Sequence, residues 1–516
     1  MTSEVTAMSN FIALNEDCSH YFFTRADQEL TPEIVEAWVD QYAGTQVERL
    51  LLNPNAMRTS YASDVWDPAW KGYDPELGDD QPHFAGIKDN PEEITAMRKW
   101  IDTALRIHKS GIDIYKLWIN RCRKVGISPW ITMRMNDVHS VENDQHPIHS
   151  TFWRENPQLR RIAYKLTSGY DRAFDYSYKE VRDYHMLLIK ELVERYDFDG
   201  FELDWMRFSF HFAPGSEGDG IGILNEFMSD VRRLMDEWEV KRGHKISIGV
   251  RVPSTPEKAR AMGMDAVEWA KRGLIDTLTI TPFFATIDTD MPIEIWKQLL
   301  DGTLVTLGAG FEILLSPYPA YTSPNSESIF KTRHTNSLET ARGYAVSALD
   351  RGADIIYLFN YMDSQTAMDD LQNYPTLLKE LATQETLANK TRRHVITYTD
   401  TWATGETPAF PLPSTCEAGG WNEFRLHTGP KPTTGRAALI LGIESGTITS
   451  ENIKVYVNGN LVKLEGRTEM PMPRPGFPLY RFALPLSVMK RGYNMIVLTS
   501  TEMITIGWVE IVVEER

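Results

Sequence analysis

Cysteine is scarce. The chain of 516 residues holds 3, at Cys18, Cys122 and Cys416. Such wide spacing gives neither a zinc motif nor a disulfide framework, so all three are expected to be free and structural. No apolar run is long enough to span a membrane, and none is expected as a partner. No basic segment followed by an apolar run opens the chain, so no signal peptide is visible. The expected location is cytoplasmic as written, or secreted or periplasmic if a signal was removed. Positive charge is in deficit. With 54 Lys and Arg against 71 Asp and Glu, the formal net charge is −17. That excludes nucleic acid as the main partner and fits an acidic, solvated surface. Glycine-rich phosphate loops are missing, as are solenoid repeats. No cofactor and no metal are expected. The composition, 42% hydrophobic and 24% charged, supports a sizeable core, and the length fits two or three domains.

The most informative stretch runs from Tyr196 to Arg207. A helical pattern precedes it, with Val181, Leu188, Leu192 and Tyr196 four or seven residues apart. Asp199-Gly200 turns the chain into a short strand in which Phe201, Leu203 and Trp205 alternate with Glu202, Asp204 and Met206. Glu202 and Asp204 therefore share one face, about 6–7 Å apart. Two carboxylates in such an apolar setting are costly unless paired or used. Trp205 points to the other face and is expected in the core.

Seven further strands are read around it: His20–Thr24, Val47–Leu52, Pro129–Asn136, Lys245–Val252, Asp276–Thr281, Glu312–Ser316 and Asp354–Phe359. Residues 1–18 read as a polar lead-in. Thr31-Pro32 opens a helix with proline at its first position. Further helical patterns cover Ile112–Val125, Leu224–Glu239, Asp265–Arg272 and Ser337–Arg351. Eight strands, most separated by helices, predict a (β/α)8 barrel over residues 1–390. Beyond it helical periodicity fades. Short strand-like runs recur, and Asn458-Gly459-Asn460 is a hairpin signal. Residues 391–516 are expected to form a β-sandwich of jelly-roll type.

Active sites of such barrels lie at the C-terminal ends of the strands. The predicted ends bring together Arg25, Asn53, Arg134, Asn136, Asp137, His139, Glu202, Asp204, Arg207, Arg251, Tyr318, Asn360 and Tyr361. Aromatics lie nearby, Phe283 and Phe284 among them. Carboxylates, amides and flat rings equip a sugar-binding cleft, and glycoside hydrolysis needs two carboxyl groups across the scissile bond. Arg25, Arg134, Arg207 and Arg251 are conspicuous on an acidic protein. Guanidinium groups grip carboxylates and sulfates, which points to a uronate or sulfated sugar. The competing expectation is that each neutralises Glu202, Asp204 or Asp137.

The segment Asp199-Gly200-Phe201-Glu202-Leu203-Asp204-Trp205 resembles the fourth-strand motif of several barrel glycoside hydrolase families. It is similar to the D-G-x-D-x-D-W-E motif of family 18 chitinases, with Met206 where that family keeps its catalytic Glu. It also resembles the D-G-x-x-x-D segment of the family 10-like glycosyl hydrolases. Fourth-strand aspartates matching Asp204 are nucleophiles in the α-amylase and α-galactosidase groups. The C-terminal strands resemble accessory modules of glycosidases. The resemblance implies a glycoside hydrolase acting on a carbohydrate, with Asp204 as a catalytic carboxylate. Glu202, Asp137 and Asp363 are candidates for its partner. Glu312 opens the predicted seventh strand and so falls at the end away from the mouth. Two other readings stay open. One is a uronate lyase with His139 or a tyrosine as base, and the other is a non-catalytic carbohydrate-binding barrel. A metal-dependent enzyme using His139, Asp137, Glu202 and Asp204 is a further possibility.

Overall fold

A computed structural model describes residues 10–162, 169–319, 333–364 and 368–515. Eight parallel strands close a barrel: β1 (Phe11–Glu16), β2 (Val47–Leu52), β3 (Ser128–Arg134), β4 (Gly200–Asp204), β5 (Ser247–Pro253), β6 (Thr277–Thr281), β7 (Thr306–Phe311) and β8 (Ile355–Phe359). The sheet runs in chain order and closes between β1 and β8. Most crossovers carry helices, as the alternating pattern predicts.

Two strands differ from the sequence reading. β1 lies inside the expected lead-in, and all six of its residues are buried. His20–Thr24 is instead a short helix whose Tyr21 and Phe22 pack inward. Tyr21 meets Trp38 and Trp118 edge-on, so its aromatics serve a helix–helix contact. β7 precedes the expected Glu312–Ser316. Within that segment only Leu314–Leu315 is extended, pairing antiparallel with His334–Thr335 outside the barrel.

Glycines decide how the barrel fills. Trp130 lies across its floor, with the Arg49 guanidinium 3.8 Å above the ring. Gly200 on β4 is its register partner, and a Cβ there would come within 2.2 Å of the indole. On β7, a Cβ at Gly308 would meet Thr279 at 3.0 Å and one at Gly310 would meet Thr281 at 2.7 Å. The β6 threonines thus take space that β7 side chains would need.

A second, antiparallel unit follows the barrel, formed by β9 (Arg392–Val395), β10 (Ser414–Cys416), β11 (Trp421–His427), β12 (Arg436–Ser445), β13 (Ile453–Val457), β14 (Asn460–Thr468), β15 (Leu479–Leu484), β16 (Tyr493–Ser500) and β17 (Ile504–Glu514). It is the expected β-sandwich. β14 pairs with β13 in one layer, then shifts register and pairs with β15 in the other. Asn458 and Gly459 form the tight turn between β13 and β14, both at positive φ (51° and 79°). Cys18, Cys122 and Cys416 are free and buried. Among the described residues no helix is long and apolar enough to cross a membrane.

The fit of Trp130 over Gly200 is testable. Gly200→Ala should lose about 1–3 kcal/mol in urea unfolding, because the floor must be overpacked. Gly222→Ala is the control. It sits in the helix Glu217–Arg242 with no atom within 4 Å of the added carbon, and it should gain about 0.5–1 kcal/mol. Equal effects at the two sites would refute the packing account.

Candidate active site

Register sets the site. Arg134 on β3, Asp204 on β4 and Arg251 on β5 are direct neighbours, one level above Thr132, Glu202 and Gly249. Period-2 alternation places both rows inside the barrel, the first at its C-terminal mouth and the second beneath it.

The lower row is a closed polar layer. One Glu202 oxygen accepts the hydroxyls of Thr132 (2.8 Å) and Tyr357 (2.7 Å). The Asn15 amide donates to the Tyr357 hydroxyl at 2.8 Å. Burial pushes the Glu202 carboxyl up to about 7, and the nearby Asp204 charge adds to that. Glu202 therefore lies below Asp204 and supports the mouth from within the barrel.

At the mouth, Arg251 is fully buried and donates from Nη1 to Asp204 Oδ2 at 2.8 Å. The other Asp204 oxygen accepts the Met206 backbone N–H at 3.0 Å, so both are fixed. Arg251 Nη2 faces Glu312 Oε1 at 3.7 Å, beyond hydrogen-bond range. Phe359 lies 3.9 Å under this guanidinium.

Glu312 is the main correction to the sequence reading. It follows the last residue of β7 and so stands at the mouth, fully buried. Its backbone carbonyl accepts from Asn336 Nδ2 (2.8 Å) and the Tyr361 hydroxyl (3.0 Å), which fixes the residue. Asn360, at φ 61°, reaches its Oε2 at 3.4 Å. Burial pushes the Glu312 carboxyl well above the usual carboxylate range, although Arg251 and Arg207 oppose it. Burial thus shifts it towards its protonated form.

The other expected residues separate into distinct places. Arg134, buried, pairs with Asp17 and with Asp137 (3.2 Å). Asp137 also accepts His139 Nδ1 at 2.8 Å, and its contacts with His139 and Arg134 hold its carboxyl well below the usual range despite burial. His139 Nε2 meets Arg207 Nη2 at 3.1 Å. Asn136 is structural, bonding the Phe174 backbone on both sides and the Phe210 carbonyl. The Asn53 side chain accepts the Asn55 N–H and shapes the turn after β2. Two expectations fail. Arg25 ends the helix His20–Thr24, so it is not at a strand end, and it pairs with Asp363. Tyr318 belongs to the hydrophobic cluster of the sandwich, because the segment carrying it leaves the barrel after β7. Trp205 packs among Tyr176, His211, Phe227 and Trp269 on the outer face of β4.

Sequence reasoning missed Asp17 and Tyr357 as well as Glu312. The first followed from the misplaced β1. Tyr357 was visible as the alternate inward position of β8.

The second domain also reaches the mouth. The Asp400 carboxylate, beyond β9, accepts the backbone N–H groups of Phe283 (2.7 Å), Phe284 (2.8 Å) and Ala285 (2.7 Å). It thereby fixes the loop after β6. On the β1–β3 side a cavity of about 210 Å³ has Phe23, Met97 and Trp100 on its apolar wall and Asp17, Arg134 and His139 on its polar one. Among the described residues no group of three or more His, Cys, Asp or Glu is arranged to hold a metal ion.

No family model and no curated protein matches the chain. Solved structures do. α-L-Fucosidase isoenzyme 2 from Paenibacillus thiaminolyticus is 12% identical with a TM-score of 0.41, covering 72% of this chain and 48% of that one. The glycoside hydrolase domain of PgaB (BpsB) from Bordetella bronchiseptica is 9% identical with a TM-score of 0.40, covering 73% and 99%. A family GH18 chitinase from Chromobacterium violaceum is 9% identical with a TM-score of 0.37, covering 97% and 90%. This chain thus spans about half the length of the fucosidase chain. Likenesses of this size do not bear on activity, and the functional reading rests on the residues of the site.

The Glu202 environment has a measurable consequence. The carboxyl rises from 4.5 to about 7 on folding, so between those values the folded protein holds a proton that the unfolded chain releases. Stability contributed here is present at low pH and lost as pH rises through that window. Relative to wild type, Glu202→Gln should therefore gain stability between pH 5 and pH 8, by up to about 3 kcal/mol. Urea unfolding at both pH values checks this, and a pH-independent difference would remove the assignment.

Proposed function

We propose that this protein is a glycoside hydrolase whose catalytic pair is Asp204 and Glu312. The observation that carries the reading is their arrangement on the two ends of one buried guanidinium, in unlike environments. Asp204 is bonded to Arg251, while Glu312 is driven by burial towards its protonated form. Two carboxyl groups whose surroundings treat them differently are the basis of acid and base assignment. Glu312 is the proton donor to the leaving glycosidic oxygen. Asp204 is the carboxylate that stabilises or attacks the anomeric carbon.

Unfilled polar atoms support a polyhydroxylated substrate. Arg251 Nε and Nη2, Thr279 Oγ1 and Glu312 Oε1 are buried without a hydrogen-bond partner. Unmet buried groups are rare in folded proteins, and sugar hydroxyls would satisfy these as donors and acceptors. The rings of Phe208, Phe283 and Phe284 provide apolar surface around Arg207.

One observation favours a second reading, the uronate lyase. His139 is oriented by Asp137 through Nδ1 and turns Nε2 towards Arg207. A base beside a cation is what proton abstraction next to a carboxylate needs. Products separate the two, since a lyase leaves an unsaturated sugar absorbing in the ultraviolet.

Cleavage of a panel of neutral, uronic and sulfated glycans tests the proposal. Glu312→Gln and Asp204→Asn should each lower kcat by about 10²–10⁴-fold. Asp204→Asn also strands the buried Arg251, so its folding is checked by circular dichroism. Activity should fall with rising pH as the Glu312 proton leaves, at a pH above that of an ordinary carboxyl group. Unchanged turnover in Glu312→Gln, or ultraviolet-absorbing products, would overturn the hydrolase assignment.

A further inference from the structure

Four arginines were expected at the mouth, and their partners divide them. Arg25 pairs with Asp363, Arg134 with Asp17 and Asp137, and Arg251 with Asp204. Arg134 and Arg251 thus neutralise carboxylates expected as their partners, while Arg25 neutralises Asp363 instead. Arg207 is the exception. It forms no ion pair among the described residues, although it is only 8% exposed. Its hydrogen bond runs between Nη2 and His139 Nε2, and its buried Nε has no acceptor.

A guanidinium carries five N–H donors in a planar fork. The rings of Phe208, Phe283, Phe284 and Phe359 stand 5.0–5.7 Å from its centre. Rings attract a cation at that range but accept none of its in-plane hydrogen bonds in the way an oxyanion does. A buried cation held by rings on several sides, with its donor edge largely unfilled, costs free energy until an anion arrives.

We propose that Arg207 is the recognition site for a single anionic substituent, a carboxylate or a sulfate ester, on the sugar bound at this mouth. The proposal rests on the carbohydrate reading above and names its substrate class. The anion takes two parallel hydrogen bonds from the guanidinium edge. The phenylalanines exclude water and so strengthen the charge pair. A neutral hydroxyl in the same place would leave the buried charge uncompensated, which is the basis for rejecting neutral sugars. On the far side of Arg207, His139 lines the cavity of about 210 Å³, whose apolar wall gives room for a neighbouring group.

Isothermal titration of the full chain with three sets of oligosaccharides of equal length tests this: uronate-containing, sulfated and neutral. Wild type should bind one of the anionic sets at least tenfold more tightly than the neutral set, and which set it is separates carboxylate from sulfate. Arg207→Met should bring that set down to the neutral level. Arg207→Lys, which keeps the charge and loses the fork, should fall between. Melting temperatures confirm that both variants fold. Equal binding of anionic and neutral sets by wild type overturns the proposal whatever the variants do, as does binding to none of the three. A folded Arg207→Met that keeps the preference also overturns it. Asp204-dependent cleavage of neutral glycans without anionic preference would leave the hydrolase reading standing and end this one. Arg207-dependent binding of an anionic set that is never cleaved would do the reverse.

Discussion

A full positive charge at Arg251 with no exposure is the constraint on which the barrel mouth turns. Burying such a group is expensive unless it is paired and well bonded. Asp204 provides the pair at 2.8 Å, and Phe359 supplies a ring face at 3.9 Å. The remaining requirement falls on Glu312, which is close enough to feel the charge but beyond bonding range at 3.7 Å. One cation thus fixes Asp204 by contact and influences Glu312 from a distance. The unlike environments of the two carboxyls come from that asymmetry together with the burial of Glu312.

The layer beneath makes the asymmetry rigid. Glu202 ties Thr132 and Tyr357 together directly below Asp204, and Asn15 completes the ring of contacts. Glycines at Gly200 and Gly249 leave the barrel interior to Trp130, whose indole would meet any side chain there. Outside, Asn336 and Tyr361 hold the Glu312 carbonyl, so the residue that ends β7 has little freedom of position. The carboxyl proposed as proton donor is thereby anchored at its backbone while one of its oxygens stays unbonded.

The β4 stretch was legible because it combines a turn signal, clean alternation and two acidic residues on one face. The barrel class followed from counting strands and helices, even with two strands misplaced. β1 was hidden by its uniformity: Phe-Ile-Ala-Leu-Asn-Glu is buried throughout and shows no alternation. The aromatic helix after it offered a more strand-like pattern. β7 was hidden for a more instructive reason. Its sequence, Thr-Leu-Gly-Ala-Gly-Phe, has glycine where the β6 threonines need room. The close packing that demands glycine erases the branched residues by which strands are recognised. The apolar run just past it, Glu312–Ser316, then read as the strand, and a mouth carboxylate was assigned to the wrong end.

The arginines show where sequence reasoning reaches its limit. Four cations at predicted strand ends allow two readings, neutralisation or anion binding, and only the pairing of each one decides between them. Three are neutralised, one of them from the end of a helix rather than of a strand. Arg207 differs because its surroundings come from separate parts of the chain: Phe208 beside it, Phe359 at the end of β8, and Phe283 and Phe284 on a loop pinned by Asp400 of the second domain. Three backbone N–H groups converge on that carboxylate, so two of the four rings around the unpaired cation are positioned from outside the barrel. The sandwich therefore contributes to the geometry of the mouth, and a change in how it packs would be felt first at Phe283 and Phe284.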